Sequence, residues 1–407
     1  MQCRSCDSTL SQVVIDLGST PPSNAYLTVE QLKIPERQYP LRVLVCEVCW
    51  LMQTEDFLGR GDVFDSEYHY FSSTSKHWIE HSKKFAIEII NELELNQSSL
   101  VFEVASNDGY LLQNFKELGI PAVGIEPTIS TARIAQEKGL ETIVDFFGKQ
   151  LAEDIRGERG SADLIIGNNV FAHVPEINDF VSGISALLKS NGVCTLEFPH
   201  LMSLLTWKQF DTIYHEHFSY LSVIAIRPLL ERHGLRLYKI EKLPTHGGSL
   251  RIYLCKLESE IQEDISVGSV LAEEIEFGLS SLTGFTDLWE SAKRMREDLI
   301  NFLHEEKDAG RRVVGYGAAA KGNTFLNYAG VNADLIEFVV DAAEAKQSKF
   351  LPGSHIPIYP PSKLGESQID TILVLPWNIA EEILEQYSDL KNSGTKFFVA
   401  VPNLKEL

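Results

Sequence analysis

The feature that most constrains the fold is an alternation of short apolar strands and amphipathic helices in the middle of the chain. Segment 100–105 is typical of a buried strand, 106–109 of a tight turn and 110–118 of a helix. The same order continues through segments 122–126, 141–147, 162–170, 177–189 and 192–198. Because strand–helix–strand connections join parallel neighbours, the pattern predicts an α/β fold with a parallel sheet covered by helices on both faces.

Length and composition limit the classes of function. A chain of 407 residues, 44% of them hydrophobic and 23% charged, is expected to form a globular protein of two or three domains. The net charge of −21 argues against a nucleic-acid partner, because phosphate contacts require clustered Lys and Arg. The sequence has no long apolar run and no apolar signal core at its start, so we expect a cytoplasmic protein without a membrane partner. It leaves the oligomeric state open.

The cysteines fall into two kinds. The paired ones are Cys3 with Cys6 and Cys46 with Cys49, and the single ones are Cys194 and Cys255. Two Cys-x-x-Cys pairs are typical of a closed tetrahedral zinc site with four thiolate ligands, whereas single cysteines in apolar runs are typical of core thiols. We therefore predict a structural Zn²⁺ in an N-terminal segment that is too small to fold well on hydrophobic burial alone.

The turn at 106–109 is a candidate nucleotide-binding loop. It follows Glu103, contains Gly109 as its single glycine, and is followed one strand later by Glu126, an acid able to accept hydrogen bonds from both ribose hydroxyls. A dinucleotide pyrophosphate would favour a glycine-rich turn. A nucleoside without phosphates, such as S-adenosylmethionine (SAM), requires less of this.

This region resembles the class I SAM-dependent methyltransferases, although Ala105 stands where many members have glycine. The resemblance implies a set of cofactor contacts in the loop, at the ribose-binding acid and after the next strands. These residues are Glu103, Ala105, Ser106, Asn107, Gly109, Glu126, Pro127, Asp145, Phe146, Asn168 and Asn169.

Two polar loops are candidate substrate contacts. The first contains Tyr68, Tyr70, Ser72 and Ser73, whose rings and hydroxyls suit a sugar or nucleotide, although a linker that caps the next helix explains it as well. The second includes the sequence Pro-Thr-His-Gly-Gly-Ser at 244–249. Its candidates are His246, Gly247, Gly248 and the nearby Arg251. A hairpin turn explains the glycines equally well but not the histidine.

Four consecutive polar residues interrupt an apolar setting: Tyr214, His215, Glu216 and His217. Histidine titrates near neutral pH and a neighbouring carboxylate can orient it, so the cluster is a candidate site of proton transfer. The alternative is a histidine-rich loop whose side chains satisfy one another.

The C-terminal part contains a second candidate nucleotide site. The pattern Gly-x-Gly-x-x-Ala at 315–320 follows a predicted strand, the next predicted strand ends in Asp341, and Lys321 and Asn323 could meet a phosphate at the helix start. The pattern alone favours an NAD-dependent nucleotide-sugar oxidoreductase. The competing interpretations are a Rossmann-like domain that binds the diphosphate of a nucleotide-sugar, or one that binds nothing.

Taken together, the chain resembles the nucleotide-sugar C-methyltransferases of deoxysugar pathways, through the four paired cysteines and the blocks 68–75, 214–217, 246–251 and 315–324. The resemblance implies a zinc-binding domain at 1–75, a SAM-binding domain at 76–285 and a Rossmann-like domain at 286–407 that binds the nucleotide-sugar and lacks NAD. It also implies that His217 is the base. A non-enzymatic zinc module is the remaining alternative, against which the acidic charge and the full-length βα pattern argue.

The expected reaction is methylation of the carbon next to the ketone of a 4-keto sugar, at C3 or C5. Neutral His217 would remove the proton from that carbon, and the resulting enolate would attack the methyl group. Tyr214, His215 or His246 would hydrogen-bond the developing oxyanion. Glu216 would orient a histidine or contact the sugar.

Overall fold

The structure, a computed structural model, describes residues 1–57, 59, 71–74, 76–366 and 368–407. The chain divides into two compact units, each assembled from three segments. Unit 1 comprises Met1–Ser11, Cys46–His200 and Phe218–Ser281, and unit 2 comprises Gln12–Val45, Leu201–His217 and Leu282–Leu407. The boundaries 1–75, 76–285 and 286–407 stay a prediction.

The secondary-structure elements are numbered in chain order. The strands are β1 Gln12–Thr20, β2 Tyr39–Val45, β3 Met52–Thr54, β4 Val101–Val104, β5 Ala122–Ile125, β6 Glu141–Ile143, β7 Ala162–Asn168, β8 Leu188–Pro199, β9 Ser219–Tyr220, β10 Leu235–Leu243, β11 Ser249–Lys256, β12 Val313–Tyr316, β13 Val339–Val340, β14 Ile358–Tyr359, β15 Thr371–Val374, β16 Lys396–Val399 and β17 Lys405–Glu406. The helices are α1 Lys76–Glu92, α2 Leu112–Glu117, α3 Ile129–Glu137, α4 Lys149–Arg159, α5 Ile177–Leu187, α6 Leu201–Thr206, α7 Val223–Arg232, α8 Ile265–Phe277, α9 Leu288–Asp308, α10 Ala320–Ala329, α11 Ala380–Gln386 and α12 Ser388–Asn392.

The sheet of unit 1 has seven strands in the order β10-β11-β8-β7-β4-β5-β6. The neighbours from β8 to β6 are parallel, as the βα alternation predicts, and β11 is antiparallel because a short loop joins it directly to β10. The strand order reverses between β4 and β7. Ligands of open α/β sheets bind at such a reversal, outside the carboxyl ends of the strands.

Helix α1 covers one face of this sheet. Trp78, Phe85 and Ile89 are buried in one apolar cluster with Val101 of β4 and Tyr253 of β11. The predicted strand at 141–147 is shorter than expected, since β6 ends at Ile143. The Asp145 side chain accepts a hydrogen bond from the Phe146 backbone N–H at 2.7 Å, a local contact that competes with strand pairing.

Unit 2 contains a second sheet with the order β14-β13-β12-β15-β16-β17. Its strands are parallel except β17, and their buried face packs Val314, Val340, Ile372 and Phe397 in one cluster. Strands β1 and β2 form an antiparallel pair in the same unit. The predicted α/β fold class with its two sheets is thus confirmed. Within the described residues, every helix is too short or too polar to cross a bilayer.

Candidate active site

The four paired cysteines form a compact cluster in unit 1, with all their sulfur atoms within 4.8 Å of one another. The Sγ atoms lie 3.5 Å apart in the pair Cys3 and Cys49 and 3.6 Å apart in the pair Cys6 and Cys46. The amide Nε2 of the buried Gln53 donates to Cys3 Sγ at 3.2 Å. Four thiolates that also receive N–H donors suit a closed tetrahedral zinc site.

The loop between Cys3 and Cys6 contacts two helices of unit 1. The side-chain amide of Asn178 in α5 donates to the carbonyl oxygens of Arg4 and Ser5, at 2.7 and 3.1 Å. Arg232 of α7 donates to the Ser5 carbonyl at 2.7 Å. A zinc ion held by the cysteines would therefore fix a surface against which α5 and α7 pack.

The predicted cofactor loop has an unusual backbone. Ala105, Asn107 and Gly109 have φ values of 57°, 50° and 78°, a left-handed region that L-residues enter at a cost. This conformation favours glycine at the position of Ala105. A side chain at Gly109 would also collide with Leu140.

Two backbone donors hold the predicted ribose-binding acid. Glu126 Oε2 accepts from the Asn107 N–H and Oε1 from the Thr128 N–H, both at 2.9 Å. Burial raises the pKa of Glu126, and burial together with the charges of Glu126 and Asp108 raises the pKa of Glu103. Three carboxyl groups at one edge of the sheet are costly unless a ligand or proton compensates them.

Buried polar atoms without a hydrogen-bond partner among the described residues concentrate at this edge. Those at this edge are Glu103 Oε2, Ser106 Oγ, Asp108 Oδ1, both side-chain polar atoms of Asn168, and Asn169 Oδ1. They lie in or just after β4 and β7, where the strand order reverses. Since buried polar groups are normally paired, this edge fits a polar ligand such as SAM, whose hydroxyl, amino and carboxylate groups would supply partners.

The other predicted residues of this region have more varied surroundings. Pro127 follows Glu126 directly and is half-buried, as is Phe146, while Asp145 is exposed. The Ser72 N–H donates to Asn107 Oδ1 at 2.9 Å and the Ser73 hydroxyl to Asp108, so both serines support the cofactor loop. The predictions for Tyr68 and Tyr70 lie outside the described residues.

The loop between β10 and β11 contains His246, which has a strained backbone and lies close to a second strained residue, Asn169. His246 and Asn169 both have φ near 54°, and the Asn169 amide nitrogen lies 3.3 Å from His246 Nε2. Gly247 and Gly248 also have positive φ and complete the turn. The indole ring of Trp78 lies 5.2 Å from the imidazole. Non-glycine residues held in the left-handed region concentrate at functional sites, which favours a role for His246.

A buried ionic network lies beside this loop, and the sequence analysis missed its centre, Glu197 of β8. Glu197 accepts from Arg251 at 2.9 Å and from the Thr245 hydroxyl at 3.1 Å, and its carboxylate lies 3.0 Å from His81 Nε2. Burial opposes ionisation of Glu197, but the His81 hydrogen bond and the Arg251 charge outweigh it and lower its pKa. Arg251, predicted to contact substrate, is thus buried in an ion pair that anchors the His246 loop. In the sequence, Glu197 is a charged residue within the apolar segment 192–198, and this pattern could have identified it.

In unit 2, the structure brings together two of the four clustered residues. The Tyr214 hydroxyl lies 2.7 Å from His217 Nε2, and His217 Nδ1 lies 2.8 Å from the Thr212 carbonyl oxygen. A carbonyl oxygen only accepts, so Nδ1 carries a proton, and in the neutral imidazole Nε2 accepts from the tyrosine. The neutral form of His217 therefore has its basic nitrogen on the tyrosine side.

The other two residues of the cluster have separate partners. His215 Nε2 lies 3.3 Å from the Tyr39 carbonyl oxygen, and burial lowers its pKa. Both carboxylate oxygens of Glu216 accept from the Asn24 amide at 2.8 Å, and burial raises the pKa of Glu216 to about 7. His215 and Glu216 are thus each held by a residue outside the cluster.

The Gly-x-Gly-x-x-Ala pattern forms a strand–turn–helix as predicted, but its groups are engaged within the protein. A side chain at Gly317 would lie 2.5 Å from the Pro376 ring, so Pro376 packs directly against this glycine. Asp341 Oδ2 accepts from the Ala318 N–H at 2.7 Å and lies 3.4 Å from Lys346 Nζ. The acid that would hold a ribose of NAD thus stabilises the turn.

The two predicted phosphate-binding residues of α10 differ in position. Lys321 Nζ donates to the Asn378 side chain at 2.6 Å and lies 4.6 Å from the centre of the Trp377 ring. Asn323 is buried and its amide donates to the Ser23 carbonyl at 2.6 Å. Lys321 is half-buried in the first turn of α10, whereas Asn323 supports the chain segment before Asn24.

The backbone strain at Ala105 gives a stability prediction. Replacing Ala105 with glycine removes the cost of a left-handed alanine but increases the freedom of the unfolded chain. We expect the free energy of unfolding of unit 1 to rise by roughly 0.5–1 kcal/mol, measured by urea denaturation. Ala186 in α5 is the matched control, since glycine there should destabilise by about 0.5–1 kcal/mol. Equal destabilisation by both variants would contradict the interpretation.

The seven-stranded sheet and its polar switch point define the class of a SAM-dependent methyltransferase. Residues 78–240 match the family described as "Methyltransferase domain", residues 3–64 "Putative zinc binding domain", and residues 244–402 "C-methyltransferase C-terminal domain". The chain is 34% identical over 401 residues to the C-methyltransferase NovU of Streptomyces niveus, a match that covers 98% of this chain and 95% of NovU. The protein belongs to this family of C-methyltransferases.

Solved structures of methyltransferases match less than half of this chain. The magnesium protoporphyrin IX methyltransferase of Synechocystis PCC 6803 with bound SAH is 15% identical with a TM-score of 0.35, covering 44% of this chain and 83% of that chain. A SAM-dependent methyltransferase of Clostridium acetobutylicum is 12% identical with a TM-score of 0.35, covering 44% of this chain and 92% of that chain.

The predicted enzyme class, a SAM-dependent C-methyltransferase, is confirmed by these matches, as is the pairing of a SAM-binding fold with a zinc-binding cysteine cluster. They give no support to the NAD-dependent oxidoreductase, in agreement with the engaged groups at Gly317 and Asp341. The individual site residues stay predictions.

Proposed function

We propose that the protein methylates the carbon next to the ketone of a nucleotide-linked 4-keto deoxysugar, with His217 as the base. The supporting observation is the contact between His217 Nδ1 and the Thr212 carbonyl oxygen, which leaves Nε2 as the basic nitrogen of the neutral imidazole. Methylation of carbon, unlike that of a hydroxyl or amine, requires removal of a C–H proton to create the nucleophile. A C–H group beside a ketone is acidic enough for a neutral imidazole when the enolate is stabilised.

In this mechanism the proton leaves the substrate carbon and is bound at His217 Nε2, and the electron pair of the broken C–H bond enters the enolate. The Tyr214 hydroxyl already lies on Nε2. It either moves aside, so that the imidazole takes the proton directly, or it passes its own proton to Nε2 and receives that of the substrate. Both routes end in an imidazolium whose Nδ1–H remains on the Thr212 carbonyl.

The oxyanion requires an N–H or O–H donor. His215 is a poor candidate, because its Nε2–H is used by the Tyr39 carbonyl and burial keeps the second nitrogen unprotonated. His246 is a better one, since acceptance from the Asn169 amide at Nε2 leaves its proton on Nδ1. We therefore propose His246 as the oxyanion donor, with its loop held by Thr245 on Glu197.

SAM, when bound, supplies an electrophilic methyl group that the enolate carbon attacks. Glu126 would hold the ribose hydroxyls through the carboxylate that Asn107 and Thr128 orient. Ser106, Asp108 and Asn168 would pair with the remaining polar groups through the atoms that have no partner among the described residues. The positive φ values of the loop let the backbone approach the ligand closely.

The sugar nucleotide would be recognised in part by unit 2. Lys321 places a cation in the first turn of α10, where the backbone N–H groups of a helix favour anions. The Trp377 ring beneath its amino group limits the directions that the cation can take. We propose that Lys321 contacts the diphosphate and that Asn323 only supports the site.

The function is tested with a panel of nucleotide-linked 4-keto deoxysugars, with mass spectrometry for the added methyl group and NMR for its position. We expect a new C–CH₃ group next to the ketone and none on oxygen or nitrogen. Calorimetric titration of SAM and NAD into the same sample should show binding of SAM alone. Methylation confined to a heteroatom would overturn the proposed reaction.

A further inference from the structure

The Glu216 carboxyl group is held by a residue that the sequence analysis did not identify. Asn24 Nδ2 lies 2.8 Å from both carboxylate oxygens, so the amide nitrogen faces the two oxygens of one group equally. Glu216 is almost completely buried, with 4% of its surface exposed. A buried carboxylate whose two oxygens share one donor has little freedom to rotate, and its direction is therefore set by the amide.

Asn24 is held in turn by the loop between β12 and α10, residues 317–319, here named the fingerprint loop. The Tyr26 hydroxyl donates to the Ala318 carbonyl at 2.5 Å, and the Tyr26 backbone N–H donates to the Asn24 carbonyl at 3.0 Å. Lys346 Nζ donates to the same carbonyl at 2.9 Å, and Asp341 accepts from the Ala318 N–H. A continuous series of hydrogen bonds thus joins Asp341 to Glu216 within unit 2.

These hydrogen bonds give a structural role to the Gly-x-Gly-x-x-Ala segment, whose glycines have no role in the proposed reaction. The Gly-x-Gly-x-x-Ala spacing and a terminal acid flank the fingerprint loop, yet Pro376 packs against Gly317 and Asp341 is engaged with the loop itself. The same loop instead presents a backbone carbonyl to two donors, Tyr26 and Lys346. Its geometry is thus used to fix the chain segment that carries Asn24.

We propose that Asn24 is a positioning residue for methyl transfer, which holds the Glu216 carboxylate toward a sugar hydroxyl, and that the fingerprint loop is its support and not a cofactor site. The inference rests on the proposed function, because contact of Glu216 with the sugar presupposes that a sugar is the substrate. Asn24 acts only through Glu216. Its loss should therefore affect turnover and substrate affinity but not SAM affinity, since the residues proposed to bind SAM lie in unit 1.

The charges around Glu216 set the expected pH dependence. The titratable groups of the series are Tyr26, Lys346 and Asp341, and Lys346 Nζ lies 5.5 Å from the Tyr26 ring centre. Burial raises the pKa of Glu216 to about 7, and the Asn24 hydrogen bonds counteract this by favouring the ionised form. Removing the amide should raise this pKa further. If the ionised carboxylate binds the sugar, the acidic limb of the rate profile then moves to higher pH.

The test replaces Asn24 with aspartate, which has nearly the same shape but puts a second carboxyl group in place of the N–H donors, and separately with serine, in the full-length zinc-containing protein. We expect kcat to fall by about 10²-fold in Asn24→Asp, with an upward shift of the acidic limb. The decrease in kcat should be smaller in Asn24→Ser, because the serine hydroxyl restores one hydrogen-bond donor. The calorimetric SAM affinity should be unchanged in both. The control is Asn332→Ala, which removes an exposed cap in the same unit and should keep wild-type kinetics.

A second measurement does not depend on turnover. The infrared carbonyl band of Glu216, assigned by difference from Glu216→Gln, should show more of the protonated form in Asn24→Asp than in the wild type at the same pH. Wild-type kinetics, or an unchanged band, would overturn the inference. If the wild type methylates no 4-keto sugar, the proposed function fails, and the infrared comparison still decides whether Asn24 controls Glu216.

Discussion

Replacing His217 with asparagine is expected to lower kcat by about 10²- to 10⁴-fold, the usual contribution of a general base. Asparagine can still donate to the Thr212 carbonyl, but it offers no nitrogen with a basic lone pair where Nε2 meets Tyr214. The SAM affinity should stay unchanged, because the residues proposed to bind SAM lie in unit 1 whereas His217 lies in unit 2. Steady-state kinetics with a productive 4-keto sugar and calorimetric titration of SAM measure the two effects.

The proton-transfer step can be observed without methyl transfer. In D₂O with S-adenosylhomocysteine in place of SAM, the wild type should exchange the hydrogen next to the ketone for deuterium, and His217→Asn should not. Tyr214→Phe separates the two routes to Nε2. If the imidazole acts directly, phenylalanine leaves most of the exchange intact; if the tyrosine passes the proton, exchange is lost as in His217→Asn.

The neighbouring histidine is the matched control. His215→Asn removes an imidazole of the same cluster whose contact is the Tyr39 carbonyl, and an asparagine amide can replace that N–H donor. We expect a decrease of less than about 10-fold in kcat, because no proton is transferred there. Near-normal turnover and exchange in His217→Asn, or an equal loss in both variants, would remove His217 from the role of base.

Much of the fold could be predicted because it depends on local patterns. The period of the apolar residues located β10, β11 and the β12–α10 turn closely, and the cysteine spacing identified the zinc cluster. The reversal of strand order between β4 and β7 could not be obtained in this way. It depends on which strands pair, and non-local pairing leaves no periodic signal in the chain.

The candidate site likewise contains residues that could be predicted from the sequence and residues that could not. Glu126 and His217 belong to short motifs whose chemistry is visible in the sequence, and the structure gives each a fixed orientation. Asn24 and Glu197 were missed because each acts through a partner far away in the chain, Glu216 and Arg251 respectively. The fingerprint at 315–320 indicated the correct strand–turn–helix. It could not show that Pro376 occupies the space beside Gly317, since that contact too is non-local.

Loss of zinc is expected to have the largest effect on stability. Structural zinc contributes on the order of 10–16 kcal/mol of binding free energy in small zinc domains, and the cluster joins chain segments that have little other means of folding. Replacing Cys46 with serine should therefore abolish zinc binding. The expected result is fast hydrogen exchange in 1–11 and 46–54, together with a lower thermal midpoint. Native mass spectrometry gives the zinc content, and hydrogen exchange locates the change.

The effect should extend beyond the cysteine cluster in a defined way. Arg4 and Ser5 receive hydrogen bonds from Asn178 of α5 and Arg232 of α7. The backbone amides of both helices should therefore exchange faster when the loop between Cys3 and Cys6 unfolds. Cys194→Ala is the control, because that thiol is buried in β8 outside the cluster. It should lose some stability through a small cavity but keep one zinc per chain. If Cys46→Ser keeps its zinc, or if α5 and α7 keep wild-type exchange after the metal is lost, the proposed coupling is wrong.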